Sequence, residues 1–312
     1  MTTDAQRAAG LPPHTLLGSV IRKARESFRT LLSGTPDGRP DWVLDLGHGE
    51  LDGVVPAHGA TWAVHGALPT LVGGIRALFL QAAHPLALTA VADHSVYRDD
   101  PLGRLRRTTK WLTVTTFGDV AAAQKEAARV RGAHRRVSGT ARIDGVSHPY
   151  RADDQDLLAW VHIAFTDSFL SAHLALGGPA IPGGPDAYVA EWAGSARLLG
   201  LADPPTTRAE LDALLTGFRS RSLGRAPATS EVVDFLRDPP LPGAQRAAYR
   251  VLSAAALATM HPVDLAMLKL DRPASRVAIP AARTVLAGLS LLLGPVGPAQ
   301  QEAERRIADR VK

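Results

Sequence analysis

Residues 66–95 read GALPTLVGGIRALFLQAAHPLALTAVADHS. Apolar residues recur here every three or four positions, and no run alternates apolar with polar residues as a half-buried strand does. The stretch therefore predicts a helical segment broken near Pro85, because proline disfavours helical geometry at the residue before it. The glycines at 73 and 74 follow no predicted strand, so they do not form a dinucleotide-binding fingerprint.

The same helical period recurs through most of the chain, and alternating patterns are rare. The predicted fold class is therefore all-α. We expect a flexible N-terminus at residues 1–14, followed by a single all-helical domain over residues 15–312. One exception is Asp144-Gly145, a strong two-residue turn between two short extended runs, which predicts a β-hairpin.

Capping residues locate two further helices. Asp100 is placed to cap a helix that has Pro101 at its first position. Asp119 is placed to cap the next helix, and Gly139 is predicted to end it, which gives a helix over residues 120–138.

Two stretches leave alternatives open. Residues 35–60 form a glycine- and proline-rich loop, long enough to be a substrate lid or a packed connection. The most apolar stretch, Thr284–Gly297, is too short for a membrane-spanning helix, which needs about 20 apolar residues. We expect a buried helix there and no integral membrane segment, with contact to a membrane surface as the alternative.

Composition excludes several kinds of chemistry. The chain has 312 residues, of which 46% are hydrophobic, and it contains no cysteine. A folded globular protein is therefore expected, while disulfides, thiolate nucleophiles, iron–sulfur clusters and cysteine-ligated zinc or haem are excluded. The N-terminal residues lack the pattern of a secretory signal, so we expect a cytoplasmic protein.

Positive charge is concentrated in one segment. Residues 98–142 hold eleven Lys or Arg against four Asp or Glu, a net charge of +7, whereas the whole chain carries +5. A basic surface can bind nucleic acid. This segment has few aromatic residues for stacking bases, however, and no helix-turn-helix, zinc-finger or RNA-binding signature accompanies it. We therefore expect no nucleic-acid partner.

One histidine lies among these arginines. In a helix over residues 120–138, His134 belongs to an apolar face, and Arg131 precedes it by one turn on nearly the same side. The other members of that face are Ala123, Ala127, Val130 and Val137. A lone histidine in such a place is often a core residue that is hydrogen-bonded to a carbonyl. A ligand role becomes credible when a neighbouring segment offers matching chemistry.

The preceding helix offers such chemistry. Arg107 and Thr108 follow Arg104 by three and four positions, so the three share one face. A short turn joins the two helices, which could present an imidazole and cationic donors to one space. Haem suits that arrangement, because its iron accepts a neutral imidazole, its propionates bind guanidinium groups and its macrocycle packs against apolar walls.

Four segments carry a resemblance to a known family. They read QAAHPLALTAVADHS, RLRRTTKWLTVTTFGD, RVRGAHRRVSG and DLLAWVHIAFTDSF. Together they resemble the haem-dependent oxygenase family that contains latex clearing protein (rubber oxygenase) and the MpaB-type oxygenases, over roughly residues 71–170. The resemblance implies a globin-like helical core with extra helices, and haem b as the cofactor.

The resemblance also implies roles for individual residues. The family pattern Arg-x-x-His falls on Arg131 and His134, which makes His134 the axial ligand of the haem iron and Arg131 a polar supporter of the site. His84 is then either a second haem contact or a structural residue at the helix break.

At one position the sequence departs from the family. The rubber oxygenase pattern Arg-x-x-Lys-Thr falls on Arg104, Arg107 and Thr108, which the resemblance makes the catalytic donors to O2. Arginine stands in place of the lysine, and arginine is protonated at any ordinary pH, so it cannot bind iron. Either the distal position is open, or Lys110 takes the role of the lysine one turn further along.

The function implied is that of a haem-b-dependent oxygenase. It would use O2 and an electron donor to oxidise or cleave a C=C bond of a hydrophobic, isoprenoid or lipid-like substrate. The alternative is a non-catalytic helical protein that binds haem or a hydrophobic ligand. Zinc-protease His-Glu-x-x-His and serine-hydrolase Gly-x-Ser-x-Gly motifs are absent. The sequence does not specify the substrate, the electron donor or the oligomeric state.

Overall fold

The computed structural model describes residues 16–95 and 99–310. The expected flexibility of residues 1–14 therefore lies outside the described residues. The first seven helices are α1 Leu16–Ser33, α2 Asp41–Leu44, α3 Ala60–His65, α4 Thr70–Ala82, α5 Pro85–His94, α6 Pro101–Phe117 and α7 Val120–His134. A hairpin of β1 Ser138–Ile143 and β2 Val146–Arg151 follows. The remaining helices are α8 Gln155–Leu176, α9 Gly184–Leu199, α10 Arg208–Arg221, α11 Thr229–Arg237, α12 Gly243–Ala258, α13 Pro262–Leu268, α14 Ser275–Leu293 and α15 Pro298–Arg310.

The all-α prediction is confirmed, since helices account for most of the described chain and the only sheet in residues 16–95 and 99–310 is the two-stranded hairpin. The globin-like arrangement and the single domain over residues 15–312 stay predictions. The turn residues Asp144 and Gly145 both have positive φ, 49° and 82°, as a tight hairpin turn requires. The predicted hairpin is therefore confirmed.

The centre of the fold is the crossing of α4 and α8, the most extensive helix–helix contact in the described chain. Gly73 lies at the crossing. A Cβ placed there would lie 2.6 Å from Cδ1 and 2.9 Å from Cα of Phe169. Because glycine has no side chain, the two backbones approach more closely than any other residue would allow.

A buried ion pair joins the same two helices. Arg76 Nη2 lies 2.7 Å from Asp167 Oδ2, and Arg76 Nη1 donates a hydrogen bond of 2.8 Å to Ser168 Oγ. Burial alone would raise the pKa of Asp167. The charges of Arg76 and Arg208 outweigh that effect and hold the pKa below its ordinary value. The carboxylate is thus ionised and paired inside the core.

The predicted helix break at Pro85 is confirmed. α4 and α5 meet at an angle of 104° across a short break. His84 is extended there, with φ −102° and ψ 113°, and its Nδ1 accepts a hydrogen bond of 3.4 Å from Ala87 N at the start of α5. Proline prevents a continuous helix, and the histidine caps the new one.

The two predicted N-caps are also confirmed, whereas the end of α7 is corrected. Asp100 accepts from Gly103 N at 2.7 Å, and Asp119 accepts from Ala122 N at 2.7 Å. α7 ends at His134 rather than at residue 138, and Gly139 belongs to β1 instead of ending the helix. Glycine is needed there because a Cβ would lie 2.6 Å from the hydroxyl oxygen of Tyr150 on β2.

Residues 35–60 form a packed connection and include the short helix α2. Val43, Leu46 and Val55 in this segment are buried. The buried Arg306 of α15 donates to the carbonyl of Leu46 at 2.8 Å and to the carbonyl of Phe117 at 2.9 Å. Arg306 thus fixes the segment to both α6 and α15.

The buried helix expected at Thr284–Gly297 is wrong in both extent and burial. α14 begins at Ser275, has 19 residues, and buries only Ala278, Ala282 and Leu286. By length and composition both α8 and α14 could cross a membrane, and so could the bent pair α4–α5 taken as one broken span. The most apolar window of α8 is 72% buried inside the protein, against 17% for α14. α8 is therefore a core helix, whereas α14 lies on the surface.

We expect Gly73→Ala to lower the free energy of unfolding by about 1–3 kcal/mol, because the methyl group would overlap Phe169. Its neighbour Gly74 is the matched control, since a Cβ there meets no atom within 4 Å. Gly74→Ala should raise the free energy of unfolding by about 0.5–1 kcal/mol through helix propensity. Urea unfolding followed by circular dichroism measures both. Equal stability of the two variants would contradict the close crossing.

Candidate functional site

A cavity of about 1000 Å³ lies beside the α4–α8 pair. Its walls come mainly from α1, α4, α5, α6, α8, α12 and α14. Most of the lining is apolar and includes Ile75, Leu78, Phe165, Phe169, Leu252 and Leu292. Ligand sites for small molecules are typically about 300–1,000 Å³ and mostly apolar. The space thus fits a large hydrophobic molecule.

α6 supplies the polar wall of this cavity. Its polar lining residues lie on one broad face of the helix and are Arg104, Thr108, Thr109, Thr113 and Thr116. The hydroxyls of Thr108 and Thr116 donate to the carbonyls of Arg104 and Leu112, at 3.3 and 2.8 Å. Oxygen atoms and a guanidinium group therefore border a mostly apolar space, where they can orient a polar group of a ligand.

His65 lines the cavity but is fully engaged in hydrogen bonds. Its Nδ1 lies 2.8 Å from Thr116 Oγ1, and its Nε2 lies 3.0 Å from the Tyr188 hydroxyl. The hydroxyl hydrogen of Thr116 is already donated to Leu112, so Nδ1 carries the proton and Nε2 accepts from Tyr188. Burial, with a smaller effect from His173, lowers the pKa of His65 to about 3. The imidazole is neutral and has no nitrogen free for a metal.

Gln81, in the last turn of α4, also lines the cavity. Its side-chain nitrogen Nε2 is buried and has no hydrogen-bond partner among the described residues. A buried donor without an acceptor costs about 1–3 kcal/mol. A ligand in the cavity that carries a hydrogen-bond acceptor could remove that cost.

His134 lies at the end of α7, half-buried and outside the lining of this cavity. Its Nδ1 is buried and has no hydrogen-bond partner within residues 16–95 and 99–310. Burial lowers the pKa of His134, against the charge of Asp153, which raises it. A neutral imidazole with an unpartnered buried nitrogen fits the chemistry of an iron ligand.

Arg131, one turn before His134, also lies outside the cavity lining. Its Nη1 donates to the carbonyl of Leu198 in α9. This hydrogen bond links α9 to the last turn of α7, which also contains His134.

The family comparison covers these elements. The family described as ER-bound oxygenase mpaB/B'/rubber oxygenase, catalytic domain, matches residues 62–290, well over half of the chain. This chain belongs to the mpaB/rubber oxygenase family. The predicted resemblance is confirmed, and it extends beyond residues 71–170 to most of the helices that line the cavity, while α1 and α15 lie outside the matched range. No curated protein and no solved structure matches the chain.

Membership of the mpaB/rubber oxygenase family makes this an oxygenase catalytic domain. Such a domain uses O2 and a small-molecule substrate, and rubber oxygenases are in general haem-dependent. Of the residues predicted for catalysis, Arg104 and Thr108 line the cavity, whereas Arg107 does not.

Arg107 and Lys110 are the two cations that could replace the lysine of the family pattern. Both are paired with carboxylates. Arg107 Nη1 lies 3.6 Å from Asp100 Oδ2, and both side chains are about half exposed. Lys110 Nζ lies 3.7 Å from Oε2 of Glu126, a buried residue of α7 that also accepts from Arg129. Lys110 therefore links α6 to α7.

His84 has a structural role in this member of the mpaB/rubber oxygenase family. It caps α5, and its ring packs against Trp160 and Phe218 at centroid distances of 5.7 and 6.0 Å. It does not belong to the cavity lining.

In the part of the chain that the structure describes, no three His, Asp or Glu side chains group as a metal site. A non-haem metallohydrolase site is thus not found there.

Stability should depend on pH through buried neutral histidines. Burial lowers the pKa of His65 to about 3 and of His84 and His162 to about 4, from an ordinary value of 6.5. The unfolded chain therefore takes up protons below pH 6.5 that the folded protein does not. We expect the free energy of unfolding to fall as pH decreases from about 6.5 to about 4, by up to about 1.4 kcal/mol per pH unit for each histidine.

Urea unfolding at pH 7, 6 and 5 measures this dependence. His84→Asn keeps a capping acceptor but does not titrate, so it should reduce the slope by about one third. A pH-independent stability in the wild type would show that these histidines are not held neutral by burial.

Gln81→Leu should raise the free energy of unfolding by about 1–2 kcal/mol, because it removes the unpartnered buried donor. Gln300 is the matched control. It lines the same cavity, but its Nε2 donates to Glu304 at 2.9 Å. Thermal and urea unfolding should show a gain for Gln81→Leu and none for Gln300→Leu. An equal effect of both substitutions would mean that the amide of Gln81 is not orphaned.

Proposed function

We propose that this protein is a haem-b-dependent oxygenase that oxidises or cleaves a C=C bond of a hydrophobic, isoprenoid or lipid-like substrate. The observation that carries the proposal is the cavity of about 1000 Å³ enclosed by helices of an oxygenase catalytic domain. Its mostly apolar walls favour a molecule with a long hydrocarbon body. The α6 face gives that molecule one polar edge on which to orient.

His134 is the residue that would hold the haem iron. Its neutral state and the unpartnered Nδ1 support this assignment. Arg131 would position it by fixing the last turn of α7 to α9 through the Leu198 carbonyl. When bound, haem supplies the redox-active iron at which O2 is activated.

On the substrate side, Arg104 is the proposed donor at the cavity edge. Thr108 already donates its hydroxyl hydrogen to the Arg104 carbonyl, so the hydroxyl oxygen offers a ligand its lone pairs. The ion pairs of Arg107 and Lys110 favour an arrangement in which neither side chain would hold the iron. Gln81 favours a substrate with an acceptor oxygen over a pure hydrocarbon.

The second candidate is a non-catalytic carrier of a hydrophobic ligand. It is favoured by the separation of His134 from the cavity lining, because a ligand can fill the cavity without contact to that imidazole. Turnover separates the two candidates. The haem-loaded protein with ascorbate, O2 and a polyunsaturated isoprenoid should release carbonyl products, whereas a carrier would retain the alkene unchanged.

His134→Ala should weaken haem binding. Loss of residues that merely support a metal ligand typically costs about 10–100-fold in affinity, so loss of the ligand should cost at least about 100-fold. Haemin titration followed at the Soret band, before and after dithionite and carbon monoxide, measures this. His148→Ala is the control, since His148 is exposed on the hairpin. Circular dichroism checks that both variants keep their helices.

The result that contradicts the assignment is an unchanged Soret titration for His134→Ala. A wild-type protein that binds no haemin at all would contradict the haem-dependent function itself.

A further inference from the structure

The outward face of α14 is unusually apolar for a surface helix. Val277 and Leu291 are 64% and 66% exposed. Between them the outward positions follow the helical spacing of three and four, and they are Pro280, Thr284, Ala287 and Gly288. A surface helix ordinarily carries charged and polar residues on this side. The exposed stripe runs along most of the helix, where the sequence predicted a buried helix with contact to a membrane surface as the alternative.

The charge on α14 has one sign. The helix contains Arg276 and Arg283 and no acidic residue. Both arginines are exposed and lie on one flank of the apolar stripe. Arg283 Nη2 donates to the carbonyl of Ala175 at 2.8 Å, and the guanidinium forms no ion pair with a carboxylate of residues 16–95 and 99–310. An apolar stripe beside cations is typical of helices that lie at the surface of an anionic membrane.

α14 is held along the protein surface. Ala278, Ala282 and Leu286 pack inward, and the helix contacts α12 extensively. Crossing a bilayer would require α14 to leave these contacts and carry Arg283 into the hydrocarbon, which is costly. An apolar groove between α12 and α14, lined by Val251, Ala254 and Ala281 among others, widens the exposed apolar surface.

We propose that the outward face of α14 docks on an anionic lipid bilayer, with the helix axis parallel to the membrane plane. Val277 and Leu291 enter the interface between headgroups and acyl chains, and Arg276 and Arg283 meet lipid phosphates. A second copy that docks through the same face is the less fitting occupant, because two α14 faces in contact would bring arginines together without a carboxylate. Docking is compatible with the cytoplasmic location that the sequence predicts.

The opposite side of α14 borders the cavity. Leu289 and Leu292 of that side line it, together with Ala24, Phe28 and Leu31 of α1. A lipid-like molecule dissolved in the bilayer would thus lie one helix away from the cavity. This last step rests on the proposed function, whereas docking itself does not.

Co-sedimentation with vesicles tests the proposal on the full chain. The probes are vesicles of phosphatidylcholine alone and of phosphatidylcholine with phosphatidylglycerol. We expect binding to the anionic vesicles that falls with added salt. Leu291→Glu and Val277→Glu should abolish it. Arg276→Gln and Arg283→Gln should each weaken it about fivefold, the effect of about 1 kcal/mol per basic residue near an anionic surface.

Val146→Glu is the matched control, because Val146 is 57% exposed on the hairpin. It should bind vesicles as the wild type does, and circular dichroism should show all variants folded. Absence of vesicle binding in the wild type overturns the proposal, as does an equal loss in Val146→Glu. A dimer in light scattering that Leu291→Glu dissolves, without vesicle binding, overturns it in favour of a subunit interface. Since the assay uses neither haem nor O2, its outcome is independent of the proposed function.

Discussion

The close crossing of α4 and α8 is the constraint on which the other elements depend. Gly73 brings the two backbones together, and one turn along, Arg76 and Asp167 form an ion pair across the same contact. Burying two charges costs free energy, and a buried charge that loses its partner costs more. The contact therefore tolerates little displacement. With the two helices fixed in this way, the remaining apolar faces of α4 and α8 form one wall of the cavity. Other walls come from α6, α12 and α14.

Much of the fold was predictable from local signals. A proline after a histidine, an aspartate before a proline and an Asp-Gly pair each act within a few residues, and all were confirmed in the structure. The end of α7 and the position of α14 could not be read from local signals. Gly139 accommodates Tyr150, which only the pairing of β1 with β2 brings near. The stretch considered in the sequence, Thr284–Gly297, holds no charged residue, so it gave no indication that one side of α14 faces solvent.

The candidate site was likewise predictable only in part. Spacing placed Arg104, Arg107 and Thr108 on one face, but it could not tell which of them would reach a cavity whose other walls are remote in sequence. His65 and Gln81 carried no motif. The partners of His65 lie 51 and 123 residues away, and Gln81 is notable only because a partner is absent among the described residues.

The distance in sequence between α4 and α8 has a consequence for synthesis of the chain. Arg76 meets Ser168, 92 residues later. At about 5–20 residues per second, a ribosome needs roughly 5–20 seconds to make that interval. During that time the apolar α4 segment has emerged without the helix that covers it. Cotranslational folding of this protein therefore passes through a period in which the apolar α4 segment lacks its covering helix, and slower translation of residues 83–170 prolongs that exposure.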